Sequence, residues 1–358
     1  MQRNVPFIFL WLLILPSACQ ERPRSPSTVL DPTGQTEAPA TRLAAADERI
    51  RVIFDDDGSP DGTTALFYLL SHPRMSVEGI GISYGEAHPD IYIQHIGRKL
   101  DDLGLAGSPL GSGQDGPLGG TNEFPEWLRE SASRFWGLPI PNPDQVYPVQ
   151  PAAEMISSVV RRSPEPIVVF VSGPSTNLAQ ALRLDPEIRS NISAVHIMGG
   201  SIYAPGNIRD LLPDSANLVA EWNVYADPIA AQEVFESGLE IFLVPLDATN
   251  QVTITRQDTR RWRQGGGMAD FAADIYGSLM GNWGVEDAAI WDLMTAAIMV
   301  DPGLCAFQPL HLRVITDDGV TSGQTVVVAG QAPNAQVCLE PDADRIRETL
   351  SEVFSGAP

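Results

Sequence analysis

The chain has 358 residues, of which 43% are hydrophobic, 7% aromatic and 19% charged. That balance buries one large core or two small ones and excludes wholesale disorder, a collagen-like repeat and a small disulfide scaffold. With 23 Lys and Arg against 45 Asp and Glu, the formal charge is -22, which excludes a general attraction to nucleic-acid backbones or anionic lipid surfaces.

From the N-terminus, residues 1–19 have the layout of an export signal. Arg3 is the positive start, residues 5–15 are an apolar run too short to span a bilayer, and small residues precede Cys19. Cysteine directly after Ser17-Ala18 resembles a bacterial lipoprotein cleavage site. The expectation is an exported protein held at the cell envelope, on its periplasmic or extracellular face, by lipid on Cys19. Residues 20–48 are rich in Pro, Ser, Thr, Ala and Glu, the composition of a disordered tether. A single folded domain is expected over 49–356.

Within it, a strand-then-helix rhythm recurs. Apolar runs at 51–54, 77–83, 167–171, 194–198 and 239–244 are each expected to be strands, several followed by apolar residues at helical spacing. The fold class predicted is α/β: an open, mostly parallel sheet with helices on both faces and a Rossmann-like core. Nearly every expected strand ends in polar or glycine residues: Asp55-Asp56-Asp57, Ser83-Tyr84-Gly85-Glu86, Ser172-Gly173, Gly199-Gly200 and Asp247. Ligands of such sheets bind beyond the carboxyl ends of the strands, so these endings should converge on one site. The Gly- and Pro-rich stretch 111–151, carrying Phe124, Trp127 and Trp136, is expected to be a long loop covering the pocket. Cys305 and Cys338 are either buried thiols or, in an exported protein, a disulfide.

The most informative segment is Asp55-Asp56-Asp57-Gly58-Ser59-Pro60-Asp61-Gly62, with four carboxylates in seven positions at a strand end. Their mutual repulsion is costly unless solvent or a cation relieves it. A solvated acidic turn satisfies the composition alone. An EF-hand loop needs a preceding helix and a closing Glu at its twelfth position, and here a strand leads in. A phosphotransferase of the haloacid dehalogenase type would place Thr or Val after Asp-x-Asp, where this chain has Gly58-Ser59.

A fourth reading accounts for more of the chain. Residues 52–70 resemble the opening of nucleoside hydrolases, whose signature is Asp-x-Asp-Pro-Gly-x-Asp-Asp after the first strand. Further landmarks follow in order: Gly173-Pro174-Ser175-Thr176-Asn177-Leu178-Ala179, Met198-Gly199-Gly200, Glu221-Trp222-Asn223-Val224-Tyr225-Ala226-Asp227-Pro228, Val244-Pro245-Leu246-Asp247 and Trp291-Asp292. The resemblance implies hydrolysis of the N-glycosidic bond of small-molecule ribonucleosides by calcium-activated water. It implies Asp57 as metal ligand and general base, with Asp61, the Ser172 carbonyl and Asp292 completing the calcium shell. Asp61, Glu86, Met198, Asn217, Glu221, Asn223 and Trp291 would contact the substrate, and assembly into dimers or tetramers follows by analogy.

Three departures from the pattern matter. Gly62 stands where the family has a principal calcium-ligating Asp, so Asp61, Asp55, Asp56 or Glu86 must make up the charge if the ion binds. Glu86 itself stands where an Asn is expected. Trp291 precedes Asp292 where many members carry a His that protonates the leaving base. An indole cannot do that, but it can stack on a base, as in the purine-preferring branch. Among the histidines, His196 lies within an apolar strand as a core residue, and His88 is the candidate for a substitute proton donor. The rival readings are a non-catalytic riboside-binding surface lipoprotein on the same fold and a hydrolase of another N-ribosyl compound.

Overall fold

The computed structural model describes residues 49–356. The expected signal segment, Cys19 and the tether lie outside them. Among the described residues no helix is long and apolar enough to cross a membrane.

Nine strands form the main sheet: β1 (Ile50–Asp56), β2 (Met75–Ile82), β3 (Leu110–Ser112), β4 (Val149–Pro151), β5 (Ile167–Val171), β6 (Ile192–Met198), β7 (Ile241–Val244), β8 (Cys305–Leu310) and β9 (Ala335–Pro341). Their spatial order is β8-β9-β7-β6-β5-β1-β2-β3-β4, and every pair is parallel except β8 with β9. From β1 the chain runs outward through β2, β3 and β4, then returns to place β5 on the other side of β1. The order of strands therefore reverses between β1 and β5, the switch point at which an open sheet leaves a crevice at its carboxyl edge.

Strand pleating decides what faces each layer. Val52 and Phe54 of β1 point into a core with helices α1 (Pro60–Ser71) and α2 (Pro89–Asp102) and the long helix Gly267–Trp283. Ile53 points the other way, into a core with Met155 of Ala152–Arg162 and Leu178 of Thr176–Leu184. Phe54 and Phe170 stack across β1 and β5 with ring centroids 5.6 Å apart. These apolar residues carry β1 to its polar end, where the same alternation sends Asp55 and Asp56 to opposite faces.

The expected loop 111–151 is only partly a loop. Its two ends pair with the sheet edge as β3 and β4, and it contains the helix Glu126–Ser133. Three-residue strands carry too little alternation to be seen in a sequence.

Cys305 and Cys338 form a disulfide between β8 and β9. It closes a separation of 33 residues, so replacing both by serine is expected to cost about 3 kcal/mol in chemical denaturation. An unchanged midpoint would show that the antiparallel pairing of β8 with β9 suffices by itself.

Candidate active site

The carboxyl end of β1 is fastened on both sides. Ser83 N donates to Asp56 O at 2.6 Å, Ala87 N to Asp57 O at 2.8 Å, and Ser172 N to Asp55 O at 2.9 Å. The three Asp residues thus lie between the loops that follow β2 and β5. Gly85 passes so close that a Cβ there would stand 2.3 Å from Asp57 Oδ2, which excludes any side chain at that position without displacing the carboxylate.

Asp55 and Asp56 part ways here. Asp55 Oδ1 accepts from Asn177 Nδ2 at 2.8 Å, on the face of Met155. Asp56 turns toward α1, where Oδ2 accepts from Gly58 N and Oδ1 from Ser172 Oγ, both at 2.9 Å. Asp55 is a buried structural carboxylate, apart from the neighbouring charges that act on Asp56.

Two helix N-termini meet over this edge. Ser59 caps α1, accepting from Gly62 N, with Pro60 at the first helical position and Asp61 in the first turn. Asp292 lies in the first turn of helix Trp291–Val300. Ser59 Oγ donates to Asp292 Oδ2 at 2.9 Å, and Asp292 N donates to Asp61 Oδ2 at 3.0 Å. Each helix therefore helps hold the other's carboxylate, which the positive ends of both helices favour.

The electrostatics follow from burial without counter-charge. Asp56, Asp57, Asp61 and Asp292 are each 5% exposed or less, and Glu86 is partly buried. Burial raises Asp56 to about 7, with Asp61 adding to the shift. Burial, then the charges of Glu86, Asp56 and Asp61, holds Asp57 well above the usual carboxylate range. Asp292 is raised likewise, by burial and then by Asp61, Asp56 and Asp57. Glu86 is raised by burial and then by Asp61 and Asp56. Among the described residues no Lys, Arg or His forms an ion pair with any of the five.

The residues expected to grip a sugar sit at the end of β6. Glu221 caps the short helix Trp222–Ala226. Its Oε1 accepts from Asn223 N at 2.8 Å, and Oε2 from Gly200 N at 2.9 Å and Val224 N at 3.2 Å. Burial pushes Glu221 up to about 7, against the pull of these N–H groups. Asn223 Nδ2 bridges the carbonyls of Ser172 and Met198, each at 3.2 Å, so one amide joins the ends of β5 and β6. Asn217 is placed differently. Its Nδ2 donates to Ser322 O and its Oδ1 accepts from Val219 N and Ala220 N, so the oxygen holds its own loop and the nitrogen ties that loop to a distant segment at Ser322. Asp247 does the same for the loop after β6, accepting from Ile202 N, Tyr203 N and Ala204 N.

The aromatic expectations divide. Trp291, partly buried, opens its helix beside Asp292, and its buried Nε1 has no partner among the described residues. Phe124 is committed to packing, stacked on Trp222 at 4.5 Å. Trp136 fastens segment 126–137 to the acidic loop, donating from Nε1 to Gly58 O at 3.1 Å. His196 stacks on Phe242 at 4.7 Å inside the core, where burial lowers it to about 3. His88 pairs with Asp115 at 2.9 Å and Glu126 at 3.3 Å, turned to a network of partly exposed acids in the stretch 111–151. Two residues near the carboxylates were not anticipated. Ser59 had a legible signal, a Ser-Pro step opening a helix. Tyr276 had none, since its hydroxyl comes from a distant helix; it is buried, lacks a partner among the described residues, and is raised by burial and then by Asp61 and Asp292.

A hard cation with oxygen ligands suits this donor set in kind, because it would offset the repulsion of five clustered carboxylates. Among the described residues, no three acidic, His or Cys side chains are already drawn into a ligating group. The fit therefore rests on the carboxylates and on the orphaned Tyr276 hydroxyl beside them.

Comparison with known proteins follows the same residues. Positions 52–348 match the family model of the inosine-uridine preferring nucleoside hydrolases. A pyrimidine-specific ribonucleoside hydrolase RihA of Citrobacter koseri is 30% identical over 313 residues, 84% of this chain and 96% of that protein. Among solved structures, a purine-preferring ribonucleoside hydrolase from Gardnerella vaginalis is 26% identical with a TM-score of 0.73, covering 86% of this chain and 98% of that one. An inosine-uridine preferring nucleoside hydrolase from Bacillus anthracis is also 26% identical, with a TM-score of 0.72, covering 86% and 99%.

Proposed function

The chain belongs to the inosine-uridine preferring nucleoside hydrolase family, and from that membership we propose that it hydrolyses ribonucleosides, purine ribonucleosides in preference, to ribose and free base. The observation that carries this reading is the meeting of Asp56, Asp57, Asp61, Glu86 and Asp292 at the carboxyl edge of the sheet. Asn223 ties the Ser172 carbonyl at the end of β5 to that of Met198 at the end of β6, and Glu221 holds the next turn at Gly200.

In the proposed reaction the bond from ribose C1′ to the base nitrogen breaks with its electron pair leaving on the base. Water attacks the oxocarbenium-like carbon and gives up a proton. Asp57, held by the backbone N–H of Glu86, receives that proton as general base. Asp57, Asp61, Asp292 and the Ser172 carbonyl would hold calcium, which when bound supplies positive charge to the ribose hydroxyls and to the nucleophile. Asn223 fixes the Ser172 carbonyl in place, and Glu221 holds the turn after β6, so both shape the sugar site through backbone contacts. The relatives divide over the base, and Trp291 supports the purine side: its ring offers a stacking face and no acid, and a purine keeps a basic imidazole nitrogen that solvent can protonate.

The test is free-ribose release from inosine, adenosine, guanosine, cytidine and uridine in calcium. Purines are expected to be turned over fastest. Trp291→Ala should lower kcat/KM for them by about tenfold or more with a smaller loss for pyrimidines. Equal losses for both classes would remove stacking from the account, and binding of all five without release of ribose would leave a riboside-binding protein.

A further inference from the structure

We propose that Asp56 is a cation ligand of this site, and that Gly62 lacks a side chain because the Asp56 carboxylate occupies the space where one would stand. The inference rests on the reading that the site holds a divalent cation, and goes beyond it by assigning a ligand from a different element.

The geometry is direct. An ideal Cβ built on Gly62 falls 1.8 Å from Asp56 Oδ1, 2.6 Å from its Cγ and 2.7 Å from Ser59 Oγ. Positions 56 and 62 therefore share one volume, and only one can present a carboxylate there. In this chain the strand residue fills it. The carboxylate is not loose: Gly58 N and Ser172 Oγ each hold one of its oxygens at 2.9 Å. Ser172 also belongs to the proposed donor set through its carbonyl. The charge of Asp56 acts on Asp57, Glu86 and Asp292, so it faces the same interior as the other acids. Asp55, one residue earlier, lies on the opposite face with Asn177 and cannot serve. Pleating thus selects Asp56 among the neighbouring acids, and the missing side chain of Gly62 gives it room.

The test is calorimetric titration of calcium into the full chain, with melting temperatures measured in calcium and in chelator. Wild type is expected to bind, and Asp56→Asn to bind about tenfold more weakly or worse, since affinity at such sites follows ligand charge. In chelator Asp56→Asn should melt higher than wild type, because a repelling charge is gone; a merely structural Asp56 would make it melt lower. Gly62→Asp alone should destabilise the protein by collision with Asp56. Asp56→Ala/Gly62→Asp should recover calcium binding relative to Asp56→Ala, the carboxylate having moved to the partner position. Wild type that binds, beside Asp56→Asn that binds equally well, would overturn the assignment and leave the cation site standing. Wild type that does not bind would remove the cation reading itself.

Discussion

Asp57→Asn is expected to reduce ribose release by about a thousandfold or more, while the fold is retained. Loss of a general base alone accounts for two to four powers of ten, roughly, in such reactions, and Asp57 is also placed in the donor set. Its surroundings make the loss specific. Gly85 and Gly173 pack directly against it, with an added Cβ at either position coming within 2.7 Å or less of the Asp57 side chain. The backbone N–H of Glu86 fixes Oδ2 at 3.2 Å. Asn has the same shape, so packing survives. Removing a buried charge that neighbouring acids oppose should leave the metal-free variant at least as resistant to heat as wild type. Turnover within tenfold of wild type in steady-state assays would sink the assignment of Asp57.

The second large effect is on stability against pH. Burial raises Asp55 and Asp56 to about 7 in the folded chain, whereas an unfolded Asp titrates near 4, roughly. The native state therefore binds more protons than the unfolded state between these values. The stability these groups contribute is fully present below about pH 4 and is lost as pH rises through about 7. In chelator the melting temperature should fall by on the order of 5–10 °C between mildly acidic and mildly alkaline buffer. Calcium should restore much of the loss, because it opposes the charge on Asp56, Asp57, Asp61 and Asp292. The share due to Asp55 should remain, since among the described residues its side-chain partner is the neutral amide of Asn177, and Asp55→Asn should remove it. A melting temperature that rises with pH in chelator would contradict the account.

Much of the fold was legible because buried parallel strands read as apolar runs, as at Ile167–Val171. The candidate site was proposed from the places where chemistry is dense in sequence, the acidic run after β1 and the segment around Glu221 and Asn223. What was not legible depends on pairing across long separations. Ser59 bonds to Asp292 over 233 residues and Ser172 to Asp56 over 116, and neither spacing leaves a local mark. Gly62 is the clearest case. In sequence it is a missing carboxylate, and only the fold shows that the Asp56 side chain lies in the space it leaves. Asn217 shows the converse, a residue of the right type near the right motif whose amide is committed to backbone groups of its own loop and of Ser322.

The most direct test of the central claim is ribose release from inosine by the purified protein in calcium, then in excess chelator, then after calcium is restored. The account predicts release that stops on chelation and resumes with calcium, and that Asp57→Asn lacks throughout. Release that continues unchanged in chelator and in Asp57→Asn would contradict it.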